Sequence, residues 1–157
     1  YKGTQMQPMK MQKFARRANE VATAMGAKNK NFPLAACVVV AHESKGGTYW
    51  EQQGGGPALG IIQMEDWVHD DVWQNCDNIH KYAKRLNITQ NLQSLKSDLD
   101  YNIFMMRCRF IMDVNPFPSS LYEMAVYIKR YWNSDMGAAS PEKYISDFGW
   151  WALHDVA

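Results

Sequence analysis

The chain has 157 residues, a length typical of one domain and enough to bury a core without disulfides or a structural metal. A net charge of +1, with 46% hydrophobic and 21% charged residues, excludes a disordered chain and gives no field aimed at nucleic acid or anionic membrane. No run reaches the roughly 18 apolar residues that cross a bilayer, and no basic segment leads into an apolar one at the start, so neither a membrane span nor a signal peptide is visible.

The three cysteines, Cys37, Cys76 and Cys108, are odd in number and sit in apolar or amphipathic segments, which predicts buried thiols rather than a disulfide framework. The whole of 1–157 reads as a single domain. Its first residue is Tyr1 rather than methionine, which fits a domain excised from a longer protein or a processed product.

In chain order, Phe14, Ala18, Val21, Ala22 and Met25 recur at helical spacing before Gly26 and predict an amphipathic helix from about residue 6 to 25. Pro33 opens a second segment, Leu34 to His42, whose Leu-Ala-Ala-Cys-Val-Val-Val-Ala run has no polar face; it predicts a buried central helix ended by Glu43 and the Gly46-Gly47 pair. Thr48 to Ile62, aromatic and broken by Gly54, Gly55, Gly56, Pro57 and Gly60, predicts a small β-hairpin.

Helical patterning then resumes over 65–75, 77–86 and about 97–113, the last marked by Leu99, Ile103, Met106 and Phe110. Ser120 with Glu123 forms a capping box ahead of the stripe Leu121, Ala125, Ile128 and Trp132. Ser140-Pro141 starts a final helix carrying Tyr144, Ile145 and Phe148. The expected class is α+β, predominantly helical, with no internal repeat or linker.

The chemistry concentrates at Glu43. A carboxyl at the C-terminal end of an apolar helix meets both burial and the negative end of the helix dipole, and each disfavours ionisation. A carboxyl that keeps its proton near neutral pH is what a general acid for glycosidic cleavage requires, because the leaving oxygen must be protonated as the bond breaks. An isolated Glu at a helix end is more often a solvated cap; its neighbours shift the balance.

The blocks Glu43-Ser44 and Gly60-Ile61-Ile62-Gln63-Met64 resemble the lysozyme-like superfamily of goose-type lysozymes, soluble lytic transglycosylases and wall-hydrolase domains of phage virions. Gln53-Gly54-Gly55-Gly56-Pro57-Ala58 and His69-Asp70-Asp71-Val72-Trp73 are most similar to the virion branch, and Asp100-Tyr101-Asn102-Ile103 and Tyr131-Trp132-Asn133-Ser134 resemble two later family blocks. The resemblance spans about residues 33 to 150 and rests on the order and spacing of short motifs.

It implies a lysozyme-like two-lobed fold, a small β-hairpin region forming one wall of a groove, and cleavage of the β-1,4 bond between N-acetylmuramic acid and N-acetylglucosamine in bacterial peptidoglycan. Glu43 would be the acid/base residue. Ser44, Gln63 and Asn133 would surround the cleavage site, and Met64 would line the groove floor. Trp132 stands where the family usually has tyrosine and, with Tyr49, is a candidate for stacking on sugar. The resemblance further implies a virion, periplasmic or cell-wall setting, with other domains of a virion protein as neighbours, and calls for no cofactor.

Glu51, one short strand beyond Glu43, is the candidate second carboxylate, as nucleophile or base for a water. An exposed strand carboxylate is an equally good reading of it, and without a partner acid a lytic transglycosylase is favoured over a hydrolase. Two readings of other classes stay open: a catalytically inactive wall-binding or virion structural module, and a peptidoglycan peptidase.

His42-Glu43 does not extend to a zinc peptidase motif, since Gly46 stands where the second histidine is needed. His69, Asp70 and Asp71 read as a solvated helix face before a metal site. Asn87-Ile88-Thr89 is a glycosylation sequon by pattern alone.

Overall fold

The computed structural model of the chain describes residues 7–133 and 138–155. Among these the chain forms seven α-helices: α1 (Met11–Met25), α2 (Phe32–Ser44), α3 (Asp66–Asn75), α4 (Ile79–Leu86), α5 (Leu99–Ile111), α6 (Leu121–Tyr131) and α7 (Pro141–Asp155), with a 3-10 turn over Leu92–Lys96. None is long and apolar enough to cross a membrane.

The apolar run after Pro33 places α2 at the centre. Phe32, Ala35, Ala36, Val38, Val39, Val40 and Ala41 are all buried, and α1, α5, α6 and α7 pack around them. A helix without a polar face must be enclosed on every side. α2 runs a turn further than its apolar pattern, to Ser44, so Glu43 belongs to its last turn. Lys45 then takes a left-handed conformation, φ 51°, and Gly46 donates its N–H to the Val40 carbonyl at 3.1 Å. The three cysteines are buried free thiols.

The first helix begins at Met11 rather than near residue 6, because the preceding chain is committed elsewhere. Met9 donates its N–H to Gly46 at 2.8 Å and its carbonyl accepts from the Trp151 indole at 2.7 Å, which ties this segment to the end of α2 and to α7. Ser120 caps α6 as expected: its hydroxyl accepts from the Glu123 N–H at 3.2 Å and donates to the Glu123 carboxylate at 2.9 Å, in place of the reciprocal bond to the Ser120 backbone.

The hairpin expected over 48–62 does not appear as paired strands. Among the described residues the pairing consists of two isolated bridges, Glu51 with Leu59 and Leu59 with Met64. The loop is held instead from α5. Asn102, fully buried, accepts from the Ile61 N–H at 3.0 Å and donates to the carbonyls of Leu95 and Asp98 at 3.0 and 2.9 Å. Gly60 makes this approach possible: its φ is +81°, and a Cβ there would collide with the Asn102 side chain and the Leu95 carbonyl.

His69 does not sit on a solvated face. It is 1% exposed, with Nε2 2.6 Å from the Tyr101 hydroxyl and Nδ1 3.1 Å from Asp70. That hydroxyl also receives N–H groups from Trp73 at 3.0 Å and Asn91 at 3.1 Å. Two donors fill its acceptor positions, which directs its own proton toward His69 Nε2 and leaves Nδ1 facing Asp70. The α3 motif is a structural network between α3, α5 and the 3-10 turn.

Candidate active site around Glu43

Three helix ends and the first half of α7 converge around Glu43. The last turn of α2 carries His42 and Glu43, the last turn of α5 carries Arg109, α6 delivers Trp132 and Asn133 as it ends, and α7 supplies Tyr144 and Asp147. The last turn of a helix leaves carbonyls unpaired. Here Arg109 donates to the Trp132 carbonyl at 2.9 Å, so it closes α6 while approaching Glu43.

The Glu43 carboxyl is pushed up from its ordinary value of 4.5 to about 7. Removal from water is the main cause; a hydrogen bond from the Trp132 indole and the positive charge of Arg109 oppose it without cancelling it. Arg109 in turn is pulled down by burial, against the attraction of Glu43 and, more weakly, of Asp71. The result is a carboxyl poised to hold or release a proton near neutral pH, with one fixed donor and one cation beside it.

Trp132 is immobilised for this role. It is 5% exposed, the Arg109 guanidinium lies 4.3 Å over its ring, and Phe110 packs at a centroid distance of 5.0 Å. An indole enclosed in this way has no open face for a sugar, which corrects the stacking expected of it. Its effect on the acid is to favour the ionised carboxylate.

Tyr144 is fully buried, with its pKa raised by desolvation and by the Glu43 charge. Its hydroxyl makes no well-formed hydrogen bond among the described residues; the Asn133 side chain and the Glu43 carboxyl are its polar neighbours. Behind it, His42 packs on the phenol ring at 4.4 Å and places Nδ1 2.8 Å from Asp147, whose other oxygen takes Lys143 at 2.7 Å.

No protein-family model matches the chain, and no curated protein or solved structure matches it. The site therefore rests on its own geometry.

Of the residues singled out from sequence, Glu43, Trp132 and Asn133 come together here. Ser44 is 1% exposed and its hydroxyl is consumed within the helix end, donating to Val40 at 3.1 Å and accepting from Gly47 at 3.1 Å. Its expected place around substrate gives way to a capping role.

Met64 is 1% exposed and part of the core, not a groove floor. Gln63 adopts a left-handed conformation, φ 48°, and returns its side chain to the Gly60 carbonyl at 2.9 Å. Tyr49 is half-buried. Glu51 is exposed at its isolated bridge, and no carboxylate is among the charges that act on Glu43 among the described residues.

Arg109 and Tyr144 went unseen in the sequence as site residues. Tyr144 reads as packing in the apolar stripe of its helix, Arg109 reads as an ordinary surface cation, and only the convergence of α2, α5 and α7 gives them a shared partner. Among the described residues no group of three or more His, Cys, Asp or Glu side chains is arranged to hold a metal ion.

Proposed function

We propose that the chain is a lysozyme-like enzyme that cleaves the glycan strands of bacterial peptidoglycan at the bond between N-acetylmuramic acid and N-acetylglucosamine, with Glu43 as general acid. One feature carries this reading: a carboxyl at the end of a buried helix, raised to about 7 by removal from water, with the Trp132 indole and the Arg109 charge opposing that rise. Near neutral pH this group holds a proton in a large fraction of molecules, and it can hand that proton to a bridging oxygen as the bond breaks. Its conjugate base then remains next to a cation and an N–H donor, both of which stabilise the charge it has acquired.

The exposure of Glu51 favours the single-acid variant of this chemistry. In a lytic transglycosylase the sugar's own substituent assists and one Glu serves as acid and then as base, so no second carboxylate is needed beside Glu43. The similarity of Gln53-Gly54-Gly55-Gly56-Pro57-Ala58 and His69-Asp70-Asp71-Val72-Trp73 to wall-hydrolase domains of phage virions supports a virion or host-wall setting, with the enzyme opening peptidoglycan during entry or lysis.

The test is digestion of purified peptidoglycan followed by mass spectrometry of the soluble products. Anhydro sugar ends are expected, reducing ends would assign hydrolysis, and both should vanish in Glu43→Gln. New amino termini without new sugar ends would make the protein a peptidase, and unchanged release by Glu43→Gln would remove Glu43 as the acid.

A further inference from the structure

Arg107 lies in α5 two residues before Arg109, and a step of two residues turns an α-helix by about 200°, so the two guanidiniums leave the helix on opposite faces. Arg107 is 9% exposed. Its Nε donates to the Ala27 carbonyl at 2.8 Å, and the rings of Phe32 and Phe117 lie 5.4 and 5.8 Å from the guanidinium carbon. These contacts fix the group in place but engage only one of its three nitrogens. Among the described residues neither Nη makes a hydrogen bond and no carboxylate pairs with the charge; the ionisable groups that face it are Cys108, Tyr82, Tyr127 and Cys76.

The arginine lines a pocket of about 330 Å³ together with Tyr82, Asp113, Asn115, Phe117 and Tyr127. Asp113 is already occupied: one oxygen accepts from the Tyr127 hydroxyl at 2.6 Å and the other from the Asn115 side chain at 2.8 Å. A buried guanidinium with no counter-ion is costly, and tethering the Ala27 carbonyl does not require a charge. Its planar pair of Nη donors matches a carboxylate in two parallel hydrogen bonds. A single cation balances a monoanion, whereas a phosphate dianion would meet Asp113 with excess charge. The pocket volume lies at the small end of the range for small-molecule sites, about 300 to 1,000 Å³.

We propose that this pocket is a second binding site, separate from Glu43, for a small carboxylate-bearing ligand whose carboxylate pairs with the Nη atoms of Arg107 and whose apolar body rests against Tyr82, Phe117 and Tyr127. It does not depend on the reaction assigned to Glu43.

The test is NMR titration of the intact protein with benzoate, with benzamide as the neutral counterpart and inorganic phosphate as a second anion. Saturable benzoate shifts are expected for residues 27–29, 82, 107–117 and 127 and for the Arg107 side-chain N–H, with at least tenfold weaker binding of benzamide and phosphate. Absence of saturable benzoate binding, equal binding of benzamide, tighter binding of phosphate, or shifts centred on Arg109 and Glu43 would each overturn the proposal. Arg107→Met, where circular dichroism shows it folded, should lose benzoate binding at least tenfold; retention would count equally against the site. Should that variant not fold, the native titration decides alone.

Discussion

The indole of Trp132 favours the ionised form of the Glu43 carboxyl, linking the ends of α6 and α2, while the guanidinium of Arg109 covers the same indole at 4.3 Å. The acid is thus held between two opposed influences. Burial keeps its proton on; the donor and the cation keep it able to leave.

Glu43 should make the protein less stable as pH rises. With a folded value of about 7 against an ordinary 4.5, the native state keeps a proton that the unfolded chain has already lost between these values. Its contribution is fully present below about pH 4.5 and disappears as pH climbs through about 7. Glu43→Gln, which cannot ionise, should gain on the native protein with rising pH and exceed it by on the order of 2 kcal/mol at alkaline pH. Thermal unfolding of both proteins across this range checks it; a constant difference would mean that the carboxyl titrates normally.

Trp132→Phe removes the indole donor and keeps most of the ring. Because the lost hydrogen bond favours the ionised acid, the Glu43 value should rise, and the alkaline limb of the pH-rate profile for muropeptide release should move to higher pH. A limb that stays in place, or moves down, would show that the indole does not act on the carboxyl.

Ser44→Ala separates capping from catalysis. Its hydroxyl bonds Val40 and Gly47 inside the protein, so its loss leaves a buried N–H unpaired and should cost about 1 to 2 kcal/mol of stability. Glycan cleavage measured well below the unfolding temperature should stay within about twofold of native, a change of under about 0.5 kcal/mol in the barrier. A large loss of activity at unchanged stability would return Ser44 to the substrate.

Tyr101→Phe should be among the most damaging conservative substitutions. One hydroxyl satisfies His69, Trp73 and the Asn91 backbone, and removing it strands the His69 and Trp73 nitrogens in a buried site and leaves the part-buried Asn91 N–H without it. A loss of about 2 to 4 kcal/mol is expected from chemical denaturation, with a shift in tryptophan fluorescence as the Trp73 indole loses its partner.

The helical frame was largely legible in the sequence, and for specific reasons. The apolar run after Pro33 has no polar side to offer water, and Ser120 and Glu123 satisfy one another at a helix start whatever surrounds them. The raised pKa of Glu43 follows from the same apolar run.

Over 48–62 the expected hairpin reduces to isolated bridges, because aromatic residues punctuated by glycines fit either a hairpin or an irregular turn. What decides between them is Asn102, about forty residues away and outside any local pattern. Arg109 was invisible for a similar reason: nothing in its own neighbourhood says that α2 and α6 end beside it. The buried role of His69 depended on Tyr101 and Asn91, which come together only once α3, α5 and the 3-10 turn are packed.

Asn102 has a kinetic consequence for this architecture. Its one amide group latches the glycine-rich loop at Ile61 and closes the junction between the 3-10 turn and α5 through Leu95 and Asp98. The two segments share a fastener at Ile61, so deuterium uptake at the Ile61 amide is expected to follow the opening of the base of α5 rather than that of a surface turn.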